Sequence, residues 1–182
     1  MDGLDAMYAP FRYGDPVRSV IHRLQFDHES RAAELLAPRM ADALKRRDFD
    51  CIVPVPLHKK RFRLRGYNQS ALLAERLSAL TGIPVREDLL IRSRSTRAQS
   101  SLSREKRPGN VENAFIASDA VSGMRLLLLD DVRTSGSTAR ACASALRHQG
   151  AASVSLITAA LVWTWAEHEI RTRKQKTVHK NG

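Results

Sequence analysis

Cysteine is almost absent from this chain of 182 residues, which has only Cys51 and Cys142. Two cysteines so far apart, with no C-x-x-C pair, provide neither a disulfide framework nor a zinc site. Cys51 opens an apolar segment that suits a strand, and Cys142 falls on the apolar side of a predicted helix. We therefore expect both to be small, buried hydrophobic side chains.

Long apolar runs are also missing. The longest, around residues 154–163, is interrupted by Ser155 and Thr158 and is too short for a membrane span. The N-terminal residues lack the basic start and apolar core of a signal peptide, so we expect no membrane span and a cytoplasmic location. With 43% apolar residues and no internal repeat, the length fits one soluble α/β domain.

Acidic residues are few compared with basic ones. The chain has 19 Asp and Glu against 30 Lys and Arg, a formal net charge of +11. Such a surplus in a short chain favours anionic partners. Phosphates, pyrophosphate and nucleic acid all meet this description, and the charge alone does not choose among them.

The most informative stretch, at 125–138, reads R-L-L-L-L-D-D-V-R-T-S-G-S-T. Its four leucines, followed by Asp130 and Asp131, predict a strand that is buried on both faces and whose end emerges into solvent. A helix is predicted from Ala139 to Gly150, and the next strand at 154–161. Strand, loop, helix and strand of this size predict a right-handed βαβ unit in a parallel sheet.

The loop of this unit combines one glycine with four hydroxyl side chains: Thr134, Ser135, Gly136, Ser137 and Thr138. A helix N-terminus can hold a phosphate, and glycine lets the backbone approach a ligand closely. The carboxylates of Asp130 and Asp131 can accept hydrogen bonds from a diol such as ribose. We therefore predict a ribose 5-phosphate site, although ordinary capping beside solvated acids would also explain the loop taken alone. Neither the Walker pattern nor G-x-G-x-x-G is present.

A basic segment follows the strand predicted at 50–55. Pro54 and Pro56 exclude a helix there and end the strand. The residues from His58 to Arg65 then concentrate positive charge at the carboxyl end of a strand, where open α/β sheets bind ligands. This position predicts a pyrophosphate-facing loop, and a solvated charge run is the alternative.

Two helices are predicted at 15–46, of which the second should be kinked or interrupted by Pro38. Asn68 and Gly82 should delimit a further helix. Its apolar face is predicted to carry Leu72, Leu73, Leu77 and Leu80.

Short strands are expected at 84–91 and 113–117. Between them, the polar and basic segment at 92–110 is either a functional lid or disordered. Residues 163–182 form a basic extension that we expect to be partly disordered. The main domain is thus predicted at 1–162.

Four parts of the chain resemble the ComF family of competence-associated, phosphoribosyltransferase-like proteins, which includes GntX-type members. They are Y-G-D-P-V-R-S-V-I-H-R-L-Q-F (13–26), V-P-V-P-L-H-K-K-R-F-R-L-R-G-Y-N-Q (53–69), R-S-R-S-T-R-A-Q-S-S-L (92–102) with R-P-G-N-V-E-N-A-F (107–115), and L-L-L-D-D-V-R-T-S-G-S-T (127–138). The resemblance covers about residues 8–161, and the motifs occur in the family's order.

The resemblance implies a type I phosphoribosyltransferase fold, with a mostly parallel sheet flanked by helices and a small hood or lid. It implies pentosyl group transfer from 5-phosphoribosyl 1-diphosphate (PRPP), with Mg²⁺ assisting the departure of pyrophosphate, an unknown acceptor and a possible homodimer. Asp130 and Asp131 match the catalytic, ribose-binding acids, and residues 134–138 match the 5-phosphate loop. The remaining matches are Lys59, Lys60, Arg61 and Arg65 on the pyrophosphate side, and Arg92, Thr96, Gln99 and Arg107 in the lid.

A non-enzymatic role is the alternative. The same pocket could sense a phosphosugar while basic segments hold single-stranded DNA during uptake, although Phe62 and Tyr67 offer few aromatic rings for stacking. The chain also departs from the family, because many members carry a cysteine-rich, zinc-binding N-terminal segment. We expect either that this member has lost the segment or that it lies upstream of Met1.

Overall fold

The structure, a computed structural model, describes residues 3–26, 30–44, 48–93 and 114–162. These residues form five α-helices and seven strands. The helices are α1 (Val17–Phe26), α2 (Ser30–Ala43), α3 (Lys59–Arg65), α4 (Gln69–Thr81) and α5 (Ser137–His148). The strands are β1 (Met7–Tyr8), β2 (Phe11–Arg12), β3 (Cys51–Pro54), β4 (Leu90–Arg92), β5 (Phe115–Ala117), β6 (Arg125–Arg133) and β7 (Ser153–Leu161).

The main sheet is parallel and has the order β1-β7-β6-β3, with β2 also pairing with β7. The predicted βαβ unit is confirmed, since β6 and β7 pair in parallel with Leu128 opposite Leu156 and α5 connects them. A separate antiparallel ribbon joins β4 and β5. The α/β class and the mostly parallel sheet are therefore as predicted.

The leucines of β6 divide the core between the two faces of the sheet. Leu126 and Leu128 pack with residues of α5, while Leu127 and Leu129 pack with residues of α1, α2 and α4. All four side chains are fully buried. Alternate residues of a strand point to opposite faces, so helices on both sides of the sheet account for the unbroken apolar run.

The helix predicted between Asn68 and Gly82 is confirmed as α4. The side chain of Asn68 accepts a hydrogen bond from the amide of Ser70 (3.1 Å), and Gly82 ends the helix with a φ of +76°. Leu73 and Leu77 are fully buried, but Leu80 is 50% exposed. Its place on the packed face was wrong, because no residue of α4 after Leu77 is buried.

Pro38 was predicted to kink or interrupt the second helix. An interruption was wrong, because α2 continues from Ser30 to Ala43, and a kink stays a prediction. Pro38 and Glu34 are both exposed. The carbonyl that proline leaves without an N–H partner can therefore face water. Leu36 and Met40 are buried on the opposite side and hold the helix against the core.

The basic segment is a helix, so the predicted loop was wrong. Pro54 and Pro56 do end β3, but both precede α3 and remove no hydrogen bond from it. His58 caps the new helix, because its Nδ1 accepts from the amide of Lys60 at 3.2 Å, and Gly66 ends it.

The strand predicted at 84–91 is also shorter than expected. Val85 makes an isolated bridge with Ile52, and only Leu90–Arg92 forms a strand. Between them the guanidinium of Arg86 binds both carboxylate oxygens of Asp88 at 2.7 Å, which closes a turn. The partner strand, predicted at 113–117, is present as Phe115–Ala117.

Both cysteines are buried, as predicted. Burial raises the pKa of Cys51 to about 11. Within the described residues, none of the helices is both long and apolar enough to cross a membrane. The predicted lid beyond position 93 and the basic extension at 163–182 lie outside the described residues, so both stay predictions.

Candidate functional site

The carboxyl ends of the parallel strands meet along one edge of the main sheet. Asp130 and Asp131 lie on β6 at this edge, and the N-termini of two helices approach it. Ser70, in the first turn of α4, donates a hydrogen bond to Asp130, and Asn68 donates to the carbonyl of Val55 beyond β3. Helix α5 begins after the loop that follows β6.

The two acids are held by different helices although they are neighbours in sequence. One carboxylate oxygen of Asp130 accepts from Ser70 Oγ at 3.2 Å and from the amide of Asp131 at 3.0 Å. Asp131 accepts from Gln25 Nε2 of α1 at 2.5 Å and from the amide of Val132 at 2.8 Å. Each carboxylate is therefore fixed in place before any ligand arrives.

The sequence predicted that the strand ends at the two acids and emerges into solvent there. This prediction was wrong. Strand β6 extends through Arg133 and still pairs with β7 there, so both acids lie inside the ladder, and Asp131 is only 6% exposed. Burial, followed by the nearby charge of Asp131, raises the pKa of Asp130 well above its ordinary value. A ligand that brings positive charge or hydroxyl donors to Asp130 would stabilise its ionised form.

The loop at 134–138 leads into α5 with glycine at the N-cap position. Gly136 has a φ of +75°, a backbone conformation that residues other than glycine rarely adopt. A glycine at the N-cap has no side chain to bond the first amides of the helix. The amide of Ser137, the first residue of α5, donates instead to the hydroxyl of Ser135 at 3.4 Å. The amides that follow Ser137 in the first turn can serve a ligand.

A small cavity of about 30 Å³ lies under this loop, beside Asp130. Its lining includes Thr134, Ser137, Thr138 and Thr158 of β7. The hydroxyl of Thr158 is fully buried and, within the part of the chain that the structure describes, has no hydrogen-bond partner. A buried hydroxyl without a partner costs about 1–3 kcal/mol, and such groups mark places where a further polar group can enter.

The basic helix α3 brings the predicted pyrophosphate-side residues to the surface near this edge. Lys59, Lys60 and Arg61 are exposed. Arg65 is half-buried, donates to Gln69 at 3.1 Å and lies over the ring of Phe26 at 4.8 Å.

Arg92, predicted for the lid, lies on β4 over the ring of Phe115, 5.3 Å from its centre. Burial, with a further contribution from the charge of Arg61, lowers the pKa of Arg92. Thr96, Gln99 and Arg107, the other predicted lid residues, lie outside the described residues.

Curated relatives identify the family. The chain is 32% identical over 162 residues to competence protein F of Haemophilus influenzae, and the match covers 84% of this chain and 71% of that protein. The chain belongs to the ComF family. Other ComF relatives include the DNA utilization protein YhgH of Salmonella typhi, 35% identical over 151 residues. That match covers 79% of this chain and 66% of the relative, so the chain spans slightly less than two thirds of the Salmonella protein.

Two solved structures have a chain path that is partly similar to this one. The glutamine PRPP amidotransferase of B. subtilis has a TM-score of 0.49 and 23% identity, over 69% of this chain and 25% of that chain. An adenine phosphoribosyltransferase from Thermoanaerobacter pseudethanolicus has a TM-score of 0.42 and 18% identity, over 72% and 69% of the two chains. No protein-family profile matches the chain.

Three polar residues of this ComF protein's site were missed from the sequence: Gln25, Ser70 and Thr158. Each lies on a different element from the two acids. Gln25 falls within the first motif of the family resemblance, at 13–26, whereas nothing in the local pattern of Ser70 or Thr158 distinguishes it from a capping or strand residue. A group of three or more carboxylate, histidine or cysteine side chains that could hold a metal ion does not occur among the described residues.

Proposed function

We propose that this ComF-family protein binds PRPP at the carboxyl edge of its main sheet and transfers the phosphoribosyl group to an acceptor, with release of pyrophosphate. The observation that carries the proposal is the cavity beside Asp130. It joins the half-buried carboxylate of Asp130 to a helix N-terminus whose N-cap residue is glycine and to four hydroxyl side chains, those of Thr134, Ser137, Thr138 and Thr158. Carboxylates suit the ribose hydroxyls, and the amides and hydroxyls suit the 5-phosphate.

The acids would also act on the transition state. As the bond from ribose carbon 1 to the diphosphate breaks, positive charge grows on the sugar, and fixed carboxylates nearby stabilise it. Asp130 and Asp131 are held by Ser70 and Gln25, so they need little reorganisation to do this. The raised pKa of Asp130 means that its ionised form is unfavourable in the free protein, and hydroxyl donors of a bound ligand would stabilise that form.

The diphosphate would lie toward α3, which carries five Lys and Arg among its seven residues. Exposed cations there offset the negative charge that grows on the leaving group. The two site acids alone are too few to enclose a Mg²⁺ ion, so the ion fits this site best when phosphate oxygens and water complete its ligands. When bound, Mg²⁺ would neutralise charge on the diphosphate.

A second candidate function is binding of single-stranded DNA, with or without a phosphosugar. The names of the relatives refer to competence and to DNA utilization, and α3 favours this role because it combines its cations with Phe62, which is 49% exposed. Such binding should weaken steeply as salt rises. Retention of an oligonucleotide at high salt would argue against a role for these cations.

Turnover tests the first proposal. Intact protein with Mg²⁺ and PRPP is offered a panel of heteroaromatic and amine acceptors, and formation of pyrophosphate is measured. The proposal predicts acceptor-dependent pyrophosphate release that Asp130→Asn reduces at least a hundredfold. Release that is equal in wild type and variant would contradict it.

A further inference from the structure

A second, larger cavity of about 300 Å³ opens between the end of α1 and helix α3. Gln25 and Phe26 line it from α1, and Arg61, Leu64 and Arg65 line it from α3. Its volume is within the range of small-molecule sites. The residues from α3 are spaced i, i+3 and i+4, so they lie on one face of that helix, and this face is turned toward α1.

This cavity lies next to the acid pair. Gln25 lines the cavity and also donates its side-chain hydrogen bond to Asp131. The end of α1 is fixed in this position because the hydroxyl of Tyr67 donates to the carbonyl of Leu24. A molecule in the cavity is therefore separated from the acids by one side chain.

The lining of the cavity is both cationic and apolar. Leu64 is 86% exposed and Phe26 is 54% exposed, so apolar surface lies beside the guanidinium groups. Arg61 and Arg65 make no ion pair with a carboxylate in the described part of the chain, and Arg65 donates to the neutral side chain of Gln69. Two guanidinium groups beside an aromatic ring suit a flat anion, because their planar donors match a carboxylate.

We propose that this cavity is the acceptor subsite and that the acceptor is a planar heteroaromatic compound bearing a carboxylate. The inference rests on the proposed phosphoribosyl transfer. The lone pair of a ring nitrogen forms the new bond to ribose carbon 1, and the bond from carbon 1 to the diphosphate oxygen breaks with its electron pair leaving on the diphosphate. A pyridine-type nitrogen needs no proton transfer in this step.

This assignment divides α3 between two ligands. Arg61 and Arg65, which the family resemblance put on the pyrophosphate side, then face the acceptor, while Lys59 and Lys60 remain for the diphosphate. Arg63 lies two positions from both arginines, does not line the cavity and is exposed, so it is a matched control of equal charge on the same helix.

The test uses nicotinate and nicotinamide, which have the same ring and nearly the same size and differ in the carboxylate charge. Their binding to the intact protein is measured by calorimetry, with and without saturating PRPP and Mg²⁺. We expect nicotinate to bind at least tenfold more tightly than nicotinamide. Arg61→Gln and Arg65→Gln should each remove most of this preference, while Arg63→Gln, which removes the same charge from the same helix, should retain it. Any effect on PRPP binding should be equal in the three variants.

Equal binding of the two probes would overturn the inference. So would a loss of PRPP affinity in Arg61→Gln and Arg65→Gln that exceeds the loss in Arg63→Gln, since the cavity would then belong to the diphosphate. If PRPP fails to bind but the nicotinate preference depends on the two arginines, the anion site stands and the proposed transfer fails. Circular dichroism of each variant checks folding, which substitutions at such accessible side chains should not disturb.

Discussion

The side-chain amide of Gln25 donates a hydrogen bond to the carboxylate of Asp131, 106 positions further along the chain. This bond joins the end of α1 to the strand that carries both predicted ribose-binding acids. Ser70 makes the corresponding bond from α4 to Asp130. The acid pair is therefore positioned by two helices that pack on the main sheet. Substitutions of Gln25 or Ser70 should change PRPP binding by changing the orientation of the acids.

Replacing Gln25 with methionine, which keeps the side chain's length, should weaken PRPP binding about tenfold. A hydrogen bond to a charged group contributes roughly 1.5–3 kcal/mol, and its loss leaves Asp131 less well oriented. Calorimetry measures the effect. Gln149→Met is the matched control, because Gln149 bonds Asp119 from the C-cap of α5, at the opposite end of that helix from the loop at 134–138. Equal affinities in the two variants would show that the Gln25 bond has no role in binding.

Asp130→Asn should make the free protein more stable at pH 8. Burial and Asp131 raise the folded-state pKa of Asp130 above its unfolded value. Between these two pKa values the folded state binds more protons, so the free energy of unfolding falls as pH rises. The variant lacks this loss, and its advantage in urea unfolding should shrink toward pH 4.

Asp50→Asn should show the opposite sign. Hydrogen bonds from Arg125 lower the pKa of Asp50, so its ionised form stabilises the folded state above the unfolded pKa and this stabilisation is lost as pH falls through the folded pKa. Asp50→Asn should therefore be less stable than wild type at pH 8. A loss of stability at pH 8 in both variants would mean that the environment of Asp130 is not as described.

Thr158→Val should raise the stability of the free protein and weaken PRPP binding. Valine has nearly the same shape, and it removes a fully buried hydroxyl for which the described residues provide no partner, a group that costs about 1–3 kcal/mol. Thermal unfolding and calorimetry measure the two effects. Ser155→Val, on the same strand but not lining the cavity, is the control. A drop in stability at position 158 would mean that the hydroxyl is already satisfied.

The central part of the fold could be predicted from local sequence. Four leucines, two acids and a hydroxyl-rich loop before a helix specify β6, α5 and β7 with few alternatives, because each signal lies within a few residues of the element it determines. Asn68 and Gly82 delimited α4 for the same reason.

The positioning of the acids could not be predicted in this way. Gln25 reaches Asp131 only because α1 packs across the sheet, and Thr158 enters the cavity only through the register of β6 with β7. Extension of β6 past the acids depends on the same pairing. The helix at 59–65 was not predicted, because Pro54 and Pro56 indicated a non-helical segment. Both prolines lie before the helix and do not constrain its residues.

Binding of PRPP with Mg²⁺ by the intact protein, compared with an Asp130→Asn/Asp131→Asn double variant, tests the proposed function most directly. We predict that calorimetry detects a single site in the wild type and that the double variant, folded by circular dichroism, loses at least a hundredfold in affinity. Absence of binding by folded wild-type protein, or equal binding by the double variant, would contradict the proposal.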